Sequence, residues 1–289
     1  MLVNARLSDR SFRRWRAVPA LAEALLENIS QIVAQSDVDG ERFHMLGARS
    51  VTVAGNLKAD TAPPPLPDRE AALALAQAIA RRPTFAAVST HAGEEAIIAD
   101  VHRKVSERLP RLMTIIVPRH VERAPEIVKE LTGKGLRVAR RSLGEMPDPT
   151  TDIYLGDTVG EMGLYLRLTE VAFVGRSLAG EGGQNPLEAA MLGTAVLSGR
   201  YVQNFRDIYQ RLIKNGGARI VKDGEQLAEE VELLLTDAEA RAAMSAAGKA
   251  SVHEMRGALS RTMQALEPFL HPLRLTLNFE RRQRGDPHR

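Results

Sequence analysis

The hydrophobic pattern of the chain changes character at Thr84. From there on, apolar runs of four or five residues alternate with longer stretches whose apolar positions recur every three to four residues. The runs at 85–89, 113–117, 137–140, 152–156, 171–175, 195–198 and 218–221 are short and rich in Val, Ile and Ala, which predicts strands. Between them the helical period predicts helices at 93–109 and 124–132, a short one after Glu161, another from Phe205, and two more at 223–236 and 237–268. Strands that alternate with helices are joined by crossovers, and crossovers make neighbouring strands parallel. The pattern therefore predicts an α/β fold built on a doubly wound parallel sheet.

Ahead of Thr84 there are strand-like runs at 2–5, 32–36 and 51–55 with a helix at 38–46. Some fifty residues with three strands are few for a Rossmann-like domain, so residues 1–54 read as the C-terminal remnant of a second one. Residues 55–68 contain four prolines and read as an interdomain linker. Residues 69–268 then form the main domain with its C-terminal helices, and 269–289 a basic tail.

Composition narrows the function classes. A chain of 289 residues that is 44% hydrophobic and 26% charged builds an ordinary soluble core, and the absence of cysteine removes disulfides and thiolate metal sites. No apolar run reaches the length of a transmembrane helix, and the first residues lack the apolar stretch of a signal peptide. The formal charge is only +3, but the basic residues gather in "RLSDRSFRRWRA" and "RRQRGDPHR". Such clusters are either solvated surface or a point of attraction to an anionic membrane surface. Four Tyr, seven Phe and one Trp leave little base-stacking capacity, which argues against a nucleic-acid partner. The seven histidines are scattered without a metal-ligand spacing, so no metal site is expected. Oligomeric state leaves no signal.

Candidate chemistry lies just after the strands, because open parallel sheets bind ligands beyond the carboxyl ends of their strands. Four successive strand ends carry polar groups: "STHAGEE", "PRH", "GDTVGE" and "GRSLAGEGGQNPLE". In the last, Asn185 suits a helix N-cap, Pro186 the first helical position and Glu188 the third, as in a capping box. The same geometry can bind a phosphate on free N–H groups, with Gly182 and Gly183 letting a ligand approach the backbone and Glu188 accepting from a ribose diol. Cap and binding site are equally compatible with these residues. Asp157 or Thr158 caps a second helix start, with Glu161 as the capping partner, and that start can also donate to a nucleotide. Arg119 offers phosphate or carboxylate a planar charged fork, with His120 as a second donor. His91 and Glu94 are either a general acid/base pair or part of a helix start.

Taken in order, "VNARLS", "GNLK", "STHAGEE", "PRHVER", "GDTVGEMGLYL", "AFVGRSL", "GGQNPLEAA" and "QNFRDI" resemble the bacterial 3-deoxy-D-manno-octulosonic acid (Kdo) transferases, from Val3 to about Leu270. The resemblance implies a GT-B fold, two Rossmann-like domains of which the second binds CMP-Kdo and the first the lipid acceptor. It implies transfer of Kdo to the lipid A precursor, lipid IVA, at the cytoplasmic face of the inner membrane, without a metal or other cofactor. Carried over by motif, the CMP contacts are Pro118 and Arg119, Val159, Gly160 and Glu161, and Asn185, Pro186, Leu187 and Glu188. Lys58 of "GNLK" would stabilise charge in the transition state. Gln184 stands where the family usually has His, Val121 where it has Pro, and Arg176 where Gly is common. The family's general-base glutamate and membrane anchor have no counterpart here, so the chain is expected to be N-terminally truncated and impaired in transfer. Two further readings are a non-catalytic nucleotide-sugar-binding remnant or partner of a complete transferase, and another GT-B enzyme such as a nucleotide-sugar epimerase.

Overall fold

Branched runs and amphipathic stretches sort into two units in the computed structural model, which describes residues 1–66, 68–79 and 82–283, with side chains placed as far as residue 272. The smaller unit comprises residues 1–61 and 255–289, the larger residues 62–254.

In the smaller unit, β1 (Leu2–Ala5), α1 (Asp9–Arg16), α2 (Pro19–Leu26), β2 (Ile32–Ala34), α3 (Asp37–Met45) and β3 (Val51–Val53) follow one another. The strands form a parallel sheet in the order β1-β2-β3. Helices α1 and α2 were not expected from the sequence, because α1 is mostly arginine and serine. Its Phe12 and Trp15, one turn apart, nevertheless pack against a core of Ala5, Ala22, Ile32 and Phe43. Start signals were present: the Ser8 hydroxyl accepts the Ser11 N–H at 3.2 Å, and Pro19 opens α2.

The larger unit runs α4 (Arg69–Ile79), β4 (Thr84–Thr90), α5 (Glu94–Ser106), β5 (Met113–Pro118), α6 (Ala124–Gly133), β6 (Val138–Arg140), β7 (Ile153–Leu155), α7 (Met162–Arg167), β8 (Val171–Val174), α8 (Leu187–Leu192), β9 (Ala195–Gly199), α9 (Arg206–Lys214), β10 (Ala218–Val221), α10 (Gly224–Thr236) and α11 (Ala238–Glu254). Its seven strands are all parallel, in the order β10-β9-β8-β4-β5-β7-β6. Every strand expected from Thr84 onward is present. Helices cover the sheet, so its strands are apolar throughout. Phe85, Ile116, Leu155, Phe173 and Leu197 pack with Ile98, Val105, Leu227 and Val231 from α5 and α10.

The single helix expected at 237–268 is broken at Gly257, which has φ 94°. Helix α12 (Ala258–Gln283) follows the break and belongs to the smaller unit. The Asp60 carboxylate accepts from the N–H groups of Gly257 (2.7 Å) and Leu259 (2.6 Å), while Arg261 donates to the Ala54 carbonyl at 2.8 Å. These charge-assisted bonds fix the start of α12 to residues 54–60. The sequence had placed residues up to 268 in the main domain and 269–289 in a tail. Instead the helix continues through 269–283, and residues 284–289 lie outside the described residues.

Strand order also locates the switch point of the sheet. After β4 the chain builds outward through β5, β7 and β6, then returns with β8 on the other side of β4. Loops leaving β4 and β8 therefore diverge, which opens a crevice at the carboxyl edge. One buried carboxylate ties these loops together. Glu94 Oε2 accepts from the N–H groups of His91 (3.0 Å) and Arg176 (2.6 Å), and Oε1 from Ser177 (2.8 Å) and Leu178 (3.1 Å). Both oxygens are occupied by backbone donors, so Glu94 is a structural bracket and not the acid/base partner of His91. The helix start is also differently made than expected, with Gly93 as the cap of α5 and no side-chain cap bond.

Two tests follow. In Glu94→Gln an amide NH2 faces backbone N–H donors, so urea unfolding should give a loss of at least about 2 kcal/mol; unchanged stability would contradict the bracket. His102 of α5 bonds through Nδ1 to the Thr114 hydroxyl at 2.9 Å, and burial pushes its pKa down to about 4. Its unfolded value is near 6.5, so the unfolded chain takes up a proton first as pH falls. Stability is whole above about pH 6.5 and is lost down to about pH 4, by about 3 kcal/mol. His102→Gln should lose that much less than wild type between pH 7 and pH 4; equal losses would refute it.

Candidate functional site

Strand β5 ends on Pro118, which lacks an N–H and so needs no further ladder partner. The next residue, Arg119, donates its N–H to the Thr90 carbonyl at 3.0 Å, fixing it beside the end of β4. Its side chain is exposed, and among the described residues it has no carboxylate partner. The His120 ring stands edge-on to that of His91, with centroids 5.6 Å apart. His120 Nδ1 lies 3.4 Å from Glu122 Oε1, and His91 Nδ1 bonds to the Ser89 carbonyl at 3.1 Å. Burial lowers the His91 pKa; Arg176 and His120 lower it further, against the Ser89 carbonyl and Glu94.

Arg176 completes this edge from β8. Its backbone is left-handed, φ 57°, as is that of Ser89 at the end of β4, φ 55°. That conformation costs an L-residue about 1–2 kcal/mol. The bonds from Arg176 N–H to Glu94 and from Gly183 N–H to the Arg176 carbonyl, 2.9 Å, hold it in place. Its side chain is exposed, again without a carboxylate partner among the described residues. In the sequence Arg176 stood out only as a departure from glycine; the crowding of β4 and β8 around Glu94 was not readable there.

After β7, the carboxylates are spoken for. Asp157 accepts from Arg140 Nε (3.0 Å) and from the Ser142 N–H (2.9 Å) and hydroxyl (2.6 Å). Burial would raise its pKa, but the Ser142 bonds and Arg140 outweigh it and hold the group below the usual carboxylate range. Glu161 receives a two-pronged bond from Arg141 at 3.0 and 2.7 Å and another from the Thr158 hydroxyl. Arg141 is the main reason its pKa is low, against burial. Neither Asp157 nor Thr158 caps a helix as expected. Helix α7 starts at Met162 with Glu161 in the cap position and no side-chain cap bond. What remains open to a ligand is backbone: Val159 is 84% exposed, and Gly160 has φ 85° with empty space where a Cβ would stand. Arg140 and Arg141 were missed, although an Arg-Arg pair directly after a strand was a visible signal.

The segment from Gly180 to Gly193 folds differently in detail from its expected form. Helix α8 begins one residue later, with Pro186 in the cap position, and Asn185 Oδ1 accepts the Leu187 N–H at 3.2 Å. Glu188 is exposed in its first turn and engaged within the protein. Gly182 and Gly183 do not leave room for a ligand. A Cβ on Gly182 would come within 2.3 Å of Asn204 Nδ2, and one on Gly183 within 2.9 Å of the Tyr201 carbonyl. The glycines exist because residues 201–204 pack onto this loop. The Gln184 carbonyl accepts from the Tyr209 hydroxyl at 3.3 Å.

Strands β4, β5, β7 and β8 thus bring His91, Arg119, His120, Val159, Gly160 and Arg176 to one edge of the larger unit. Lys58 belongs to the smaller unit, exposed in a short 3-10 turn, with its N–H bonded to Asn56 Oδ1 at 3.0 Å. Among the described residues no three His, Asp or Glu groups gather as metal ligands, and no helix is long and apolar enough to cross a membrane.

The chain is similar to known proteins over both units. A family model described as 3-deoxy-D-manno-octulosonic-acid transferase (kdotransferase) matches residues 1–61. The 3-deoxy-D-manno-octulosonic acid transferase of Bordetella pertussis is 39% identical over 279 residues, covering 93% of this chain and 63% of that protein. Its counterpart in Haemophilus influenzae is 34% identical over 278 residues, covering 93% of this chain and 64% of that protein. The chain therefore spans a little under two thirds of the length of these relatives. A solved structure, the C-terminal CMP-Kdo binding domain of WaaA from Acinetobacter baumannii, superposes with a TM-score of 0.59 at 31% identity, covering 64% of this chain and 96% of that domain. With nearly all of that domain matched, and a parallel α/β fold of GT-B type, the chain belongs to the 3-deoxy-D-manno-octulosonic acid transferase family.

Proposed function

We propose that the larger unit binds CMP-Kdo, and that the protein transfers Kdo from it to a lipid A precursor, lipid IVA. The observation that carries this reading is the match to 96% of a solved CMP-Kdo binding domain at 31% identity. The geometry is consistent with it. Arg119 holds the phosphate with a charged fork that no described carboxylate occupies. The exposed backbone at Val159–Gly160, braced by the Arg141–Glu161 pair, contacts the nucleotide, and Asn185, Pro186, Leu187 and Glu188 complete the donor site at the ribose. Pro118 ends β5 and sets where Arg119 emerges.

Transfer then proceeds by attack of an acceptor hydroxyl on the anomeric carbon while CMP departs with its phosphate. The Arg119 guanidinium stabilises the charge that grows on the departing phosphate. No metal is needed for this route, and Lys58 supplies further positive charge. An inner-membrane, cytoplasmic-face location follows from the lipid acceptor. Peripheral contact with anionic lipid is supported by the exposed arginines Arg10, Arg13, Arg14 and Arg16 of α1, next to the exposed Val18, Leu21 and Leu25.

Calorimetric titration and thermal melting of the 289-residue chain test the donor assignment. CMP should raise the melting temperature and UDP should not. Arg119→Ala should weaken CMP by about 10- to 100-fold, the worth of a bond to a charged group, with the ligand-free melting temperature unchanged. A shift with UDP and none with CMP would overturn the reading.

A further inference from the structure

Arg119 does not stand alone at the carboxyl edge. His120 follows it in the chain, and the His120 and His91 rings are 5.6 Å apart. The Arg119 N–H is bonded to Thr90, the residue before His91. Arg176 closes the group from β8, because its N–H and that of His91 share one oxygen of Glu94, at 2.6 and 3.0 Å. Two arginines and two imidazoles therefore sit on three adjacent strand ends.

Their counter-charges are few. Glu94 lies beneath them, fully buried and committed to four backbone N–H groups. Glu122 is beside His120 and 73% exposed. Among the described residues no carboxylate pairs with Arg119 or Arg176. Other carboxylates after the strands are held by their own arginines: Asp157 by Arg140, Glu161 by Arg141, and the buried Glu95 by Arg123. Arg176 is moreover a long charged side chain on a backbone of φ 57°. Strain of this kind at a ligand crevice is an observation that points toward function. The cluster offers more positive charge than a single phosphate requires.

The donor's own chemistry supplies a second anion. In a nucleotide-activated 2-keto sugar acid, the carbon that bears the phosphate oxygen also bears a carboxylate, so the two anions lie side by side. We propose that Arg176, with His91 and His120, binds the carboxylate of the donor's sugar acid next to the phosphate held by Arg119, and so selects an acidic sugar over a neutral one. This rests on the donor reading given above. It makes Arg176 a specificity-determining residue, and gives the two histidines a binding role in place of an acid/base one.

Calorimetric titration of the full chain with CMP, CDP and CMP-Kdo tests it, on wild type and on Arg176→Gly and Arg176→Asn. Glycine and asparagine both tolerate the left-handed backbone, so both variants should melt at or above the wild-type temperature. Wild type should bind CMP-Kdo about tenfold more tightly than CMP, the worth of one bond to a charged group. Both variants should lose that increment and keep their affinity for CMP. An increment retained in either variant, or an equal loss on CMP, would overturn the proposal. A larger Arg176-dependent gain on CDP than on CMP-Kdo would also overturn it, in favour of a second phosphate. If wild type binds neither CMP nor CMP-Kdo, the donor reading itself fails, an outcome distinct from the others.

Discussion

Four backbone N–H groups from two loops converge on the Glu94 carboxylate, and the rest of the larger unit's edge is arranged around that contact. A buried carboxylate without compensation would be strongly unfavourable. Here it has no arginine or lysine partner, and its charge is matched instead by oriented amides of His91, Arg176, Ser177 and Leu178. Those amides belong to the loops after β4 and β8, the neighbouring strands between which the sheet changes direction. The carboxylate thereby holds closed the one place where the topology would let the loops part. Arg176 and Ser89 keep left-handed backbones on either side of it, and the bonds to and around Glu94 are what sustain that strain.

Charge at this edge is sorted by the same logic. Each carboxylate that follows a strand is consumed internally. Glu95 takes Thr90 and Arg123, Asp157 takes Arg140 and Ser142, and Glu161 takes Arg141 and Thr158. These pairs stiffen the loops that carry them. They also remove every nearby acid that could neutralise Arg119 and Arg176. The result is a positive edge on a chain whose net charge is only +3, which suits a nucleotide phosphate far better than the overall charge implies. The histidines lie within the same field, and burial together with the arginines favours a neutral His91 ring.

Membership of the Kdo transferase family spans both units, since the family model matches residues 1–61 and the solved CMP-Kdo binding domain covers 64% of the chain. The larger unit carries the donor chemistry argued above. The smaller one is built differently from what its first fifty residues suggest. Its three-stranded sheet and helices are joined by α12, held to residues 54–60 by Asp60 and Arg261. Residues near the start and near the end of the chain thus make one folded unit.

The sequence by itself determined the larger unit's class and strand count, because a helix-covered parallel sheet demands uninterrupted apolar runs and its helices a regular polar face. It also determined which strand ends bear chemistry, since Pro118–Arg119 and the Gly160 turn are local features. It did not determine helices α1 and α2, whose arginines hide a narrow apolar stripe, nor the partner of α12, which depends on a carboxylate almost two hundred residues away. Tertiary structure alone decided the roles. Glu94 became a bracket because β4 and β8 are neighbours, Asp157 and Glu161 became ion-paired because the Arg140–Arg141 pair after β6 reaches them, and the Gly182–Gly183 pair became a packing surface for residues 201–204. A capping motif and a binding motif share the same residues and spacing; what separates them is which donors and charges the fold brings within hydrogen-bond distance.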